Sequence, residues 1–359
     1  HHTKSNFQVT SYADRIWQLG ARCKLIEIDL RSDTVTHPTP SMRRAMANAE
    51  LGDDGWGDDQ TVNNLQEKVA DLLGKESALF VPSGTMANLA SILTHCQRGD
   101  EIIVGDQSHI YYYEYGGASS FGGVAYRLLP NAEDGTLDPA TVKAAIRPAT
   151  PRFPRTALVC LENTHNRCNG AVLSKEYINY IADLAHESGA ALHIDSARLF
   201  NASISLGIPA KELVASADSA MFCFSKGLSC PVGSIICGSS SFIESARIVR
   251  NSLGGGMRQV GVIAAAAIVA LDEMVERLAE DHFNAKRLAE GLSLSPRILI
   301  DPTQVETNIV IIKLRDGNAQ EMLNTLAQNG LGASKVDEEH IRMVTHYGID
   351  SRDIDRALK

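Results

Sequence analysis

The 359-residue chain has no apolar run long enough to cross a membrane. Its longest, Val262 to Leu271, is ten residues, and a spanning helix needs about 20. Positive charge is in deficit, with 34 Lys and Arg against 43 Asp and Glu for a formal charge of −9. No nucleic-acid or membrane partner is therefore expected, although a local basic pocket stays open. Aromatic residues are only 6%, yet 44% of the chain is hydrophobic and 21% charged. Disordered, collagenous and disulfide-scaffold classes are excluded by that balance. The length exceeds a typical single core, so two domains are expected.

Paired cysteine motifs are missing as well. Cys23, Cys96, Cys160, Cys168, Cys223, Cys230 and Cys237 form an odd set without a C-x-x-C. Most lie in apolar stretches, which fits small buried hydrophobes in a reduced, cytoplasmic protein. Cys223, Cys230 and Cys237 are evenly spaced, but no His or carboxylate cluster accompanies them, so no metal is expected. No signal peptide is recognisable, and His1-His2 resembles a tag remnant.

Short apolar runs then alternate with helical patterns. Strands are expected at Ser77–Val81, Glu101–Val104, Ala157–Leu161, Ala191–Asp195, Ser219–Phe224 and Ser234–Cys237, with helices over Thr85–Cys96 and Ser174–Ser188. This alternation points to a mostly parallel α/β sheet. After Gly254-Gly255-Gly256 the texture changes. A long helical stretch from Met257 to Gly291, interrupted once, leads to TNIVIIKL, a helix over Ala319–Asn329 and IRMVTH. The expected division is an N-terminal arm (1–28), a large α/β domain (29–253) and a connecting helix with a smaller α+β domain (254–359).

Three pieces carry chemistry. Lys226 ends the apolar stretch AMFCFS. It is either a solvated strand end or a desolvated amine able to form a Schiff base. Asp195 ends ALHID, 31 residues earlier, at the strand edge where open α/β sheets bind ligands. A carboxylate there can keep the pyridine nitrogen of pyridoxal phosphate protonated, or it can cap a helix. Pro82-Ser83-Gly84-Thr85 stands at a strand–helix junction, where glycine permits close approach and helix amides face an anion. Serine and threonine also cap helices everywhere. Neither a P-loop nor a G-x-G-x-x-G pattern is present.

In this order the pieces match fold-type-I pyridoxal-phosphate (PLP) enzymes. With Asp29 to Thr36 (DLRSDTVT), Trp56 to Asp59 (WGDD), Glu162 to Asn166 (ENTHN), Asp195-Ser196-Ala197-Arg198, Ser225 to Leu228 (SKGL) and Gly254 to Gln259 (GGGMRQ), the chain resembles the threonine aldolases of the β-eliminating lyase group. The resemblance covers about Ile28 to Asp355. It implies an aminotransferase-like α/β fold with a large, mostly parallel sheet domain and a smaller α+β domain.

The resemblance implies the following roles. Lys226 carries pyridoxal 5'-phosphate and Asp195 partners its ring nitrogen. Arg198 lies near the cofactor hydroxyl and substrate carboxylate, Ser83, Gly84 and Thr85 cradle phosphate, and His109 stacks on the ring. Ser32, Arg198 and Arg342 clamp the substrate carboxylate, and a guanidinium fork suits that task. His165 contacts the β-hydroxyl. Arg258 reaches phosphate near a subunit boundary, and Trp56 enters a neighbour's site. A homotetramer or dimer with shared sites follows. Read singly, His109 is a surface-loop histidine, Arg342 an exposed strand charge, His165 a turn histidine and Trp56 a packing residue. Three departures stand out: Ser196 for a common glycine, Cys230 after Ser229, and Asn251 where some relatives carry a phosphate-directed lysine.

The implied reaction is retro-aldol cleavage of L-threonine, L-allo-threonine and related β-hydroxy-α-amino acids to glycine and an aldehyde. β-Elimination or racemisation on the same cofactor is the alternative, and a non-catalytic PLP-binding oligomer is the third reading.

Overall fold

The computed structural model describes residues 26–150, 152–315 and 317–359. The expected N-terminal arm, Cys23 included, therefore lies almost wholly outside the described residues. Ile28–Asp29 (β1) pairs with Leu331–Gly332 (β11) in a small parallel ladder. The main sheet contains Ser77–Val81 (β2), Glu101–Gly105 (β3), Ala125–Leu129 (β4), Thr156–Glu162 (β5), Ala191–Asp195 (β6), Ser219–Cys223 (β7) and Ser234–Gly238 (β8). Their spatial order is β2-β8-β7-β6-β5-β3-β4. Only β8 runs against its neighbours; the remaining pairs are parallel. The mostly parallel α/β expectation holds. In β5 all seven residues, TALVCLE, are buried, as a central strand covered on both faces requires.

The second sheet is antiparallel. It orders Ser334–Lys335 (β12), His340–Val344 (β13), Ile309–Leu314 (β10) and Ile298–Leu299 (β9). Its core joins Val310, Ile312, Ile341 and Met343 to Ala285, Leu288 and Ala289, and also to Ile28 and Leu30. The long stretch after the triple glycine is two helices, Gly261–Glu273 and Leu278–Ser293. The first is alanine-rich and buries Ala264, Ala266, Ala267 and Ala270 in the main core, lying on helices Pro40–Ala47 and Gln60–Leu73. Packing thus changes core within the second helix, later than the division expected at 253/254. Small side chains on that first helix allow close approach on several sides, a feature that periodicity alone does not place in either domain.

Every parallel strand delivers its C-terminal end to one edge of the main sheet. β8 runs the other way and delivers its first residue, Ser234, there. Loops after β2, β3, β5, β6 and β7 therefore converge beside the antiparallel sheet.

Candidate active site

Helix Gly84–His95 begins just after β2. Ser83 is its N-cap, its hydroxyl accepting from the Met86 amide at 3.2 Å. The Ser83 oxygen is thereby committed, while the Gly84 and Thr85 amides belong to the first turn, whose N–H groups have no partner within the helix. Thr85 is exposed. A Cβ on Gly84 would stand 2.9 Å from Cys223 Sγ and 3.2 Å from Met221 Cε, so glycine lets this helix start against β7. An anion would meet amides and the positive end of the helix dipole here.

Asp195, at the end of β6, is buried; its Oδ1 accepts from the Ala197 amide at 3.1 Å and its Oδ2 from Asn88 Nδ2 at 2.8 Å. Asn88 Nδ2 also donates to Glu114 Oε1 at 2.8 Å, and the same oxygen lies 2.8 Å from His109 Nδ1. Burial opposes the imidazolium of His109, but the Glu114 hydrogen bond and the Asp195 charge raise it above its ordinary value. Burial likewise pushes Glu114 up, against the pull of His109. Ligand atoms of His109, Glu114 and Asp195 all lie within 4.8 Å of one another, yet Asn88 already donates to both carboxylates.

Glu162, ending β5, ties two loops: Oε2 accepts from the His109 amide at 2.6 Å and Oε1 from the Asn166 amide at 2.8 Å. Between them lies His165, fully buried, and among the described residues neither of its ring nitrogens finds a hydrogen-bond partner. Its Nε2 stands 3.9 Å from Glu162 Oε2. Thr164 Oγ1 and Ser196 Oγ are buried without partners too. Such orphaned groups cost free energy unless something else satisfies them.

Lys226 follows β7 and is half-buried. Among the described residues its Nζ makes no hydrogen bond or ion pair, while its carbonyl accepts from the Ser229 amide at 2.8 Å. Ser229 holds a left-handed φ of 61°, which turns the chain immediately after the lysine.

The expected carboxylate clamp is rearranged. Arg198 donates through Nε and Nη2 to Asp33 at 2.6 and 2.8 Å, both residues buried. Two of its nitrogens are thus committed to protein. Burial works against the Asp33 charge, but Arg198, helped by Lys226 and Arg342, holds this carboxyl well below its usual range. Ser32 Oγ accepts from the Thr34 amide at 3.2 Å and hydroxyl at 2.9 Å. Arg342, on β13, donates to Asn166 Oδ1 and, at 3.3 Å, to the carbonyl of Arg31 beside Ser32. Burial first, then Arg198, push Arg342 below its ordinary value. Both of its acceptors are neutral. It borders a cleft of about 290 Å³ with His109, Tyr113, Asn166, Arg167 and Lys335.

Trp56 and Arg258 do not join this cluster. Their exposures are 78% for Trp56 and 71% for the Arg258 side chain. Arg258 reaches Asp53 at 3.5 Å. The neighbouring acids have internal partners: Asp54 meets Arg250 at 2.8 Å, and Asp59 accepts from the Val62 and Gly261 amides. Asn251 Oδ1 accepts from Arg250, which is spent on Asp54 and the Phe80 carbonyl.

Sequence reasoning missed Asp33, Asn88, Glu114 and Glu162 as working residues. Asp33 and Glu162 lie inside the quoted motifs, and Asn88 stands one helical turn after Gly84. Glu114 closes the stretch QSHIYYYE that begins just before His109, its hydrogen-bond partner.

Comparisons with known proteins bear on the family and the fold. The beta-eliminating lyase family model matches residues 29–315. Low-specificity L-threonine aldolase 1 of Arabidopsis thaliana is 50% identical over 337 residues, covering 92% of this chain and 94% of the relative. Low specificity L-threonine aldolase of Escherichia coli K12 is 44% identical over 324 residues, covering 90% and 94%. The solved threonine aldolase of Leishmania major superposes with a TM-score of 0.79 at 19% identity, covering 92% of this chain and 97% of that one. Serine palmitoyltransferase of Sphingomonas wittichii gives 0.72 at 18% identity, covering 96% and 94%. With strand ends, charges and motifs in this order, the chain belongs to the beta-eliminating lyase family.

Proposed function

We propose that this protein is a pyridoxal 5'-phosphate-dependent aldolase that cleaves L-threonine, L-allo-threonine and related β-hydroxy-α-amino acids to glycine and an aldehyde. The residues fit the cofactor. Lys226 offers an amine without a carboxylate partner among the described residues, Asp195 a buried acceptor, and the start of helix Gly84–His95 open amides for phosphate. When bound, the cofactor supplies the electron sink for the pair released as Cα–Cβ breaks.

The chain's own groups supply the rest. Arg342, whose acceptors here are neutral, takes the substrate carboxylate, with the remaining Arg198 nitrogen and Ser32 close by. That orients the substrate and so selects which bond at Cα is presented for cleavage. His165 accepts the β-hydroxyl proton, directly or through water, and a positioned base contributes roughly 10²–10⁴-fold. His109, held by Glu114 and Glu162, would help hold the cofactor. The carrying observation is His165: a fully buried imidazole with both nitrogens unpartnered, among the loops that bear Asp195 and Lys226.

Trp56 and Arg258 project outward and support a homo-oligomer, a tetramer or dimer, in which they reach a neighbour's site. The six described cysteines are buried and unpaired, which supports a reducing, cytoplasmic setting. Incubation of the reconstituted enzyme with L-threonine tests the reaction. Glycine and acetaldehyde are expected; ammonia with a 2-oxo acid would assign elimination instead. Lys226→Ala should abolish both the visible cofactor band and turnover, and a variant retaining them would refute the assignment.

A further inference from the structure

Behind Asp195 runs a buried polar chain that the reaction itself does not use. His95 Nε2 lies 2.8 Å from Ser219 Oγ, and Ser219 Oγ lies 2.8 Å from His193 Nδ1. His193 Nε2 is 3.0 Å from Asn88 Oδ1, and Asn88 Nδ2 donates to Asp195 and Glu114. Asn88, His193 and Ser219 are fully or almost fully buried.

The chemistry of the donors fixes every proton. A carboxylate accepts only, so the Asn88 NH₂ must face Asp195 and Glu114, and its carbonyl must face His193. His193 Nε2 therefore carries a hydrogen. Its polar partners are a neutral serine and a neutral amide, and burial lowers its affinity for a second proton to about 3. His193 is neutral, so Nδ1 accepts from the Ser219 hydroxyl. The Ser219 oxygen then accepts from His95 Nε2–H. His95, lowered by burial to about 4, is neutral as well. All donors point the same way, towards the carboxylates, and such aligned bonds reinforce one another.

We infer that Asn88 and His193, backed by Ser219 and His95, are positioning residues that hold the Asp195 carboxylate in place and aimed at the cofactor's ring nitrogen. The inference rests on the pyridoxal-phosphate reading above. Ala197 and Asn88 supply one donor to each Asp195 oxygen and leave the remaining lone pairs for the ring N–H. Were the chain cut at His193, the Asn88 carbonyl would lose its donor and the amide could turn, setting an acceptor against Asp195.

The test compares His193→Phe, His193→Gln and Ser219→Ala with the parent. It measures pyridoxal-phosphate affinity of the apoprotein, the visible spectrum of the reconstituted enzyme, and kcat and KM for L-threonine. For His193→Phe we expect cofactor affinity and kcat each to fall on the order of tenfold, as loss of a hydrogen bond serving a charged group implies. The visible band should shift, and KM should change less than twofold. His193→Gln keeps a donor and an acceptor and should recover most of the loss. Ser219→Ala, a smaller change that leaves the carboxylates untouched, should move the spectrum in the same direction. If His193→Phe does not fold, Ser219→Ala decides the matter. Parental affinity, spectrum and kcat in the folded variants would overturn the inference. A parent that forms no visible band at all would instead overturn the cofactor reading.

Discussion

Asp33→Asn is the sharpest single perturbation of this site. The change is nearly isosteric, but it removes the carboxylate hydrogen-bonded to Arg198, whose bonds of 2.6 and 2.8 Å both end on it. Asparagine keeps one acceptor and turns the other into a donor, so one guanidinium N–H meets an N–H. The side-chain exposures are 4% for Arg198 and 0% for Asp33, so water cannot replace the lost charge. Removing one partner of a buried ion pair costs about 3–5 kcal/mol. That is a large share of the roughly 5–15 kcal/mol by which folded proteins exceed their unfolded states. Urea unfolding of the apoprotein, followed by circular dichroism, should show a lower midpoint with the slope unchanged.

The pH dependence gives a second check. The folded pKa of Asp33 is depressed, so its contribution is complete above the unfolded value of about 3.9 and is lost as pH falls through the lower folded value. The gap between parent and variant should be flat from about pH 5 to 8 and narrow only in stronger acid. Replacing both partners, as in Asp33→Leu with Arg198→Met, should recover most of the loss, because no unpaired charge stays buried. A gap under about 1 kcal/mol, or a double variant no better than Asp33→Asn, would refute the reasoning.

Three further outcomes are expected. His165→Leu should lower turnover of L-threonine on the order of 10²–10⁴-fold while leaving the apoprotein at least as stable, since two unsatisfied buried nitrogens disappear; unfolding and product assays check both halves. Gly84→Ala should cost about 1–3 kcal/mol by overpacking and weaken cofactor binding, because the new methyl meets Cys223 Sγ at 2.9 Å and displaces the helix start. Arg342→Lys should raise KM for L-threonine on the order of tenfold, as loss of a charge-assisted hydrogen bond of roughly 1.5–3 kcal/mol implies, with a smaller effect on kcat.

Strands β2 and β6 were legible to the residue because each is an apolar run between polar turns. Strand β4, AYRLL, escaped notice: it lies at the edge of the sheet with only Leu129 buried, so its pattern mixes polar and apolar residues without a clean period. The reversal of β8 was invisible too, since SIICG is buried throughout in either direction. In the site, Lys226, Asp195 and His165 were singled out as candidates by their motifs. Asn88 and Asp33 were not, because each acts through a partner far along the chain, and Glu114 was passed over although its partner His109 stands close by. Asn88 meets Asp195 across 107 residues and Asp33 meets Arg198 across 165. Local spacing carries no trace of such pairs; the convergence of strand ends creates them.

That convergence also explains how an acidic chain offers a site to a carboxylate. Net charge of −9 describes the whole molecule, whereas binding depends on charges that share one desolvated volume. Arg250 is cancelled by Asp54, and Arg258 points to the surface. Around Asp33 the balance is different. Arg198 and Arg342 both face Asp33: burial and Arg198 push Arg342 down, with Asp33 only partly compensating, while Asp33 favours the Arg198 charge. Lys226 adds its charge on the Asp33 side and Glu162 acts on Arg198, but among the described residues Arg342 has only the neutral acceptors Asn166 and Arg31 C=O, which cannot discharge it. One carboxylate can. An amino acid's carboxylate gives Arg342 the anionic partner that its own acceptors do not supply, whereas asparagine at position 33 would also strip Arg198 of the carboxylate that holds its Nε and Nη2.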